Sequence, residues 1–157
     1  MAGSLFSAKA YYTAANEHLG LSLRLVNSGE HLAAHYFAGV AAEAVLRAHV
    51  VRIGHAFTSN HSIWYLAGLA GLTSDGRRDG TDDLQAALIE IETRWRANHR
   101  YLPREGLLAY LNSTGLDWRV RGDRVKYSAT RMVDMAGTVV AEGARKWSKS
   151  NNTFARA

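Results

Sequence analysis

Apolar residues recur at helical spacing along most of this chain. Leu5, Tyr12, Leu19, Leu23 and Val26 keep that spacing over residues 4–27, where Asn27-Ser28-Gly29 supplies a stop. A second helix is predicted over 30–53, ending at Gly54. Its polar residues His31, His35, Glu43 and Arg47 fall on one stripe that Gly39 completes, while Ala, Val and Leu fill the other faces. That is the pattern of a closely packed central helix, with Glu43 and Arg47 one turn apart and able to pair. Thr58-Ser59-Asn60 offers capping chemistry to a short helix over 61–71. A polar loop follows over 73–81, and then a long helix over 82–98 whose apolar face is Leu84, Ala87, Leu88, Ile91 and Trp95. Pro103 ends that segment, and a short helix is predicted over 105–111.

The stretch from Trp118 to Tyr127 has a different period. Apolar and basic residues alternate around Gly122-Asp123, which predicts a β-hairpin with Trp118, Val120, Val125 and Tyr127 on one face and Arg119, Arg121, Arg124 and Lys126 on the other. A closing helix over 129–147 and a frayed polar tail from Ser148 complete the reading. The fold class is therefore all-α: one domain over 1–157, a helical bundle with extra short helices and a small hairpin insertion.

Composition narrows the chemistry. A hydrophobic fraction of 47% and a charged fraction of 21% suit a chain that buries a core. The absence of cysteine removes disulfides, thiol catalysis and thiolate metal sites, and fits a reducing, cytoplasmic setting. No charged region followed by an apolar core opens the sequence, so no signal peptide is expected. The apolar run 32–53 is broken by His35, Glu43, Arg47, His49 and Arg52, which excludes a membrane span there. The net charge of +5 divides unevenly: residues 1–93 carry −3 and residues 94–157 carry +8. A basic second half points to a polyanionic partner, RNA or a nucleotide, or else to a solvated basic surface.

His31 and His35 are one turn apart but lack a third ligand, so no metal or other cofactor is expected. Asp82-Asp83 sits at a helix start, and Glu90 and Glu92 straddle a helix. Arg94-Trp-Arg-Ala-Asn-His99-Arg-Tyr101 stands apart because it gathers a proton-transfer group and three guanidinium groups at a helix end. Such a set can cleave RNA, with a base on the ribose 2′-hydroxyl and arginine on the phosphate, or can simply complement the helix dipole.

The run His35-Tyr-Phe-Ala-Gly-Val-Ala-Ala-Glu-Ala-Val-Leu-Arg-Ala48, continuing to Gly54 and followed by His61 and Leu66, resembles the central helix of HEPN-domain proteins. The resemblance implies an up-and-down four-helix bundle and spans most of the chain, with 118–127 as an insertion. Arg94, His99 and Tyr101 match the Arg-x4-His-x-Tyr form found in HEPN toxins. It implies a metal-independent endoribonuclease acting across a homodimer cleft, with Arg94 and His99 catalytic. Tyr101 would be the position that a nucleotidyltransferase-type antitoxin modifies. Trp95 stands where a polar residue commonly follows the arginine, and Arg100-Tyr101-Leu-Pro103 also resembles the Arg-Tyr-Pro segment of HEPN branches that are not all nucleases. Under that second alignment the protein is a non-catalytic module that binds nucleotide or nucleic acid through Arg96, Asn98, Arg100 and the basic residues of 118–127, or a dimeric interaction module.

Overall fold

A computed structural model describes residues 6–73 and 82–154. Among these residues six α-helices follow one another: α1 (Ala8–Asn27), α2 (His31–Arg52), α3 (Ile63–Leu69), α4 (Asp83–Arg94), α5 (Arg104–Thr114) and α6 (Arg124–Phe154), with a 3-10 turn at Ala97–Tyr101 between α4 and α5. The fold is all-α, with no strand among the described residues. No helix among them is long and apolar enough to cross a membrane.

The alanine-rich helix α2 is the hub. It packs against α1, α3 and α6, while α6 also packs against α1 and α4. Small residues allow this crowding. A Cβ on Gly143 of α6 would stand 2.4 Å from Val45 Cγ2, and one on Gly39 would stand 2.2 Å from the Trp95 ring. The main core joins Leu46, Ile63, Leu66, Leu88, Ile91, Trp95 and Met132, all at most 2% exposed. Fully burying each such side chain is worth about 1.5–3 kcal/mol. A smaller cluster, Leu107, Leu111 and Val125, seats α5 on the start of α6. Carboxylates do capping work: Asp82 accepts from Gln85 N–H at 2.7 Å, and Glu92 of α4 accepts from Ile63 N–H at 2.7 Å at the start of α3.

Three boundaries depart from the sequence-based expectation. The hairpin over 118–127 does not form: 116–119 is a turn and α6 already begins at Arg124. The Asp123 carboxylate caps the new helix by accepting from Lys126 N–H at 3.0 Å. Val125 is the first of a helical row continued by Ala129, Met132, Val133, Ala136 and Val140, all buried. Ten alternating residues cannot outweigh a 3.6-residue period that runs on for another four turns. The closing helix, expected to end near Trp147, continues to Phe154. The helix predicted to reach residue 98 stops at Arg94, because Trp95 turns extended (φ −123°, ψ 143°). Its ring drops onto Gly39 and its indole N–H donates to the Tyr36 carbonyl at 3.1 Å. The loop predicted over 73–81 lies outside the described residues from residue 74 onward.

Candidate nucleic-acid interface

The end of α4 places Arg94 in the interior, where it is 3% exposed. Its guanidinium makes four hydrogen bonds. Nη1 and Nη2 donate to the two oxygens of Asp117 at 2.7 Å each, Nε donates to Glu90 at 2.8 Å, and Nη1 also reaches Ser128 Oγ at 3.1 Å. Burial pushes the guanidinium pKa down, but the hydrogen bonds it donates to Asp117 and Glu90 outweigh that and raise it, so the side chain stays charged. Burial likewise pushes the Glu90 carboxyl up, and hydrogen bonds from Arg131 and Arg94 together hold it below its ordinary value. Ser128 Oγ lies 3.3 Å from His35 Nδ1, and His35 Nε2 donates to the Arg94 carbonyl at 3.2 Å. The ring closes: Arg94 donates to Ser128, the Ser128 hydroxyl donates to His35, and His35 donates back to Arg94. His35 is 1% exposed, and burial followed by the His99 and Arg94 charges lowers its pKa to about 3. The serine beside this histidine is wholly buried, so the pair is an internal brace with no nucleophile facing solvent.

His99 lies in the 3-10 turn and is 5% exposed. Its Nδ1 accepts the Arg96 backbone N–H at 3.2 Å, and its ring sits edge-on to Tyr110 at 4.5 Å between centroids. Burial, then the Arg96 charge, lowers its pKa to about 4. The neutral ring therefore carries its proton on Nε2, which can then only donate; accepting a proton there would require giving up the Arg96 contact. The segment thus does not bring Arg94 and His99 together as two open groups. Arg94 faces Asp117, while His99 faces a depression that it shares with Leu32, Tyr36 and Arg100.

The other expected contact residues differ in how far they are engaged: Arg96 and Arg100 are exposed yet hydrogen-bonded, Arg100 to the Tyr36 and Tyr101 side chains. Arg96 donates to the Glu92 carbonyl at 2.6 Å, and Arg124 donates to Asn112 Oδ1 at 2.6 Å. Asn98, Arg100, Arg119, Arg121 and Lys126 are exposed. Arg100 lies over the ring of Tyr101, which is 72% exposed, at 4.7 Å. Arg119 lies over the ring of Trp118, which is 67% exposed, at 4.4 Å. Residues 116–123 are held by Arg104, which pairs with Asp123 at 2.6 Å, and most deeply at Asp117. Asp117 is 3% exposed and clamped by Arg94, and its carbonyl accepts from Val120 N–H at 2.9 Å. Gly115 (φ +71°) and Gly122 (φ +94°) make the left-handed turns at either end. Asp117 was invisible to sequence reasoning as Arg94's partner, since 23 residues separate them and no local spacing links them.

Compared with protein-family models, curated proteins and solved structures, the chain matches none.

Proposed function

We propose that this chain is a HEPN-like, up-and-down helical module that binds single-stranded RNA on the surface formed by residues 116–126. The packing of α1 on α2, α2 on α6, α4 on α6 and α1 on α6 supports the bundle part of that reading. The observation that carries the RNA part is the pairing of a buried anchor with an open platform on adjacent residues. Asp117 is locked inside, and next to it Trp118 stands open under the Arg119 guanidinium. Leu116 and Tyr127, 44% and 40% exposed, extend the apolar surface, while Arg121 and Lys126 add charge beside it. Exposed aromatic rings stack with unpaired bases, and open guanidinium groups neutralise phosphates; together they favour single strands over duplex. Arg94 serves this surface from beneath by holding the loop, so its charge is spent on Asp117 and not on phosphate.

The experiment is fluorescence anisotropy of a labelled RNA single strand titrated with wild type and with Trp118→Ala. Loss of one stacking platform costs about 1–3 kcal/mol, or roughly 5- to 150-fold in Kd. Unchanged affinity in Trp118→Ala, or a preference for duplex, contradicts the reading.

A further inference from the structure

A hollow of about 430 Å³ lies between α4 and α6 and shares Leu116 and Tyr127 with the Trp118 surface. Glu90 and Arg94, one turn apart on α4, meet Tyr127 and Arg131, one turn apart on α6. Their contacts are direct. Arg131 Nε donates to Glu90 Oε1 at 2.9 Å and Arg131 Nη2 donates to Glu90 Oε2, so one edge of the guanidinium grips the whole carboxylate. Glu90 Oε1 also accepts from Arg94 Nε at 2.8 Å, and Arg94 is itself locked on Asp117. The carboxylate is thereby fixed from the interior and holds Arg131 in one orientation. Arg94 covers one face of the Tyr127 ring at 5.7 Å, and that ring is still 40% exposed.

Held along its Nε edge, the Arg131 guanidinium keeps its Nη1–Nη2 edge for another acceptor. Nη2 makes only a long contact, 3.9 Å to Met135 Sδ, and Nη1 has no hydrogen-bond partner among the described residues. Asp134 acts on it through charge without a hydrogen bond. The Arg131 side chain is 36% exposed, so a ligand in the hollow reaches it. Two coplanar N–H groups match two acceptors side by side. Guanine offers such a pair in N7 and O6 and cytosine in N3 and O2, whereas adenine and uracil present none. A purine also covers more of an exposed tyrosine ring than a pyrimidine does, which favours guanine. The volume falls within the range of about 300–1,000 Å³ usual for small-ligand pockets.

We infer that this hollow is a guanine-binding subsite of the RNA surface, with the base stacked on the open face of Tyr127 and its N7 and O6 accepting from the Nη1–Nη2 edge of Arg131. Glu90 positions Arg131 and leaves recognition to it. The inference rests on the single-strand reading and deepens it by naming the base that the strand carries.

The test is fluorescence anisotropy with the full chain and labelled oligouridine strands that differ at one central base. Wild type binds the strand with a central guanine about 5- to 150-fold more tightly than the adenine strand. Hypoxanthine, which keeps N7 and O6 but lacks the 2-amino group, keeps that affinity; 7-deazaguanine, which lacks N7, loses most of it. Arg131→Lys keeps the charge but not the planar fork, so it binds guanine and adenine strands alike while its affinity for the all-uridine strand stays within about twofold of wild type. Glu90→Gln releases the fork and lowers the guanine-to-adenine ratio, a quantity that lost stability alone does not move. Equal affinity of wild type for the guanine and adenine strands overturns the inference alone. So does a cytosine strand that outbinds guanine, a 7-deazaguanine strand that binds like guanine, or an Arg131→Lys variant with the preference intact. Wild type that binds none of the strands overturns the RNA reading and this inference with it.

Discussion

At the scale of the residue, Arg94 decides most of the account. Its bidentate pair with Asp117 is almost completely buried, and a buried ion pair is far more costly to break than it is stabilising to have. Arg94→Met leaves Asp117 buried and unpaired, so it should cost about 3–5 kcal/mol in urea denaturation. The double variant Arg94→Met/Asp117→Leu should recover most of that loss. A stable Arg94→Met that has lost only RNA cleavage would instead return Arg94 to a catalytic role. The buried imidazoles add a pH signature. Folded-state values of about 3 for His35 and about 4 for His99 lie below the ordinary 6.5 of an unfolded histidine. The unfolded chain therefore binds more protons between those limits, and stability rises with pH there. The stabilisation is fully present above about pH 6.5 and is lost as pH falls toward 4. A Tm that stays flat from pH 7 to pH 5 would contradict the neutral, buried assignment.

At the scale of the element, two glycines of α6 make opposite predictions. Nothing stands within 4 Å of a Cβ on Gly137, so Gly137→Ala should stabilise by up to about 1 kcal/mol through helix propensity. A Cβ on Gly143 meets Val45 at 2.4 Å, so Gly143→Ala should cost about 1–3 kcal/mol by forcing α2 and α6 apart. Thermal melts of the two variants moving in the same direction would contradict the close crossing. The helices themselves were legible in the sequence because their apolar positions repeat over many turns, as in α2. The alternation over 118–127 is a local pattern of ten residues, whereas the row beginning at Val125 is fixed by residues as far on as Val140. The end of α4 is set by a tertiary contact. Helix propensity alone would carry it past Trp95, and only the notch left by Gly39, 56 positions earlier in the chain, draws that ring inward. The candidate segment was legible as a cluster of charges. What each charge does was not, since Asp117, Ser128 and His35 reach Arg94 through tertiary contacts.

At the scale of the whole molecule, the basic second half of the chain resolves into two parts. Arg94 and Arg124 are held by internal partners and Arg131 is held by Glu90 along one edge, whereas Arg100, Arg119, Arg121 and Lys126 are exposed. The net charge of +5 thus becomes a distribution in which the open cations of 119–126 flank Trp118. The central claim is that RNA lies on that surface. The most direct measurement is the dependence of RNA affinity on salt concentration for wild type and for the triple variant Arg119→Ala/Arg121→Ala/Lys126→Ala. Affinity should fall as salt rises, with the slope of log K against log salt shallower in the variant by about 0.7 for each phosphate contact removed. An affinity indifferent to salt, or a variant with the wild-type slope, would contradict the account.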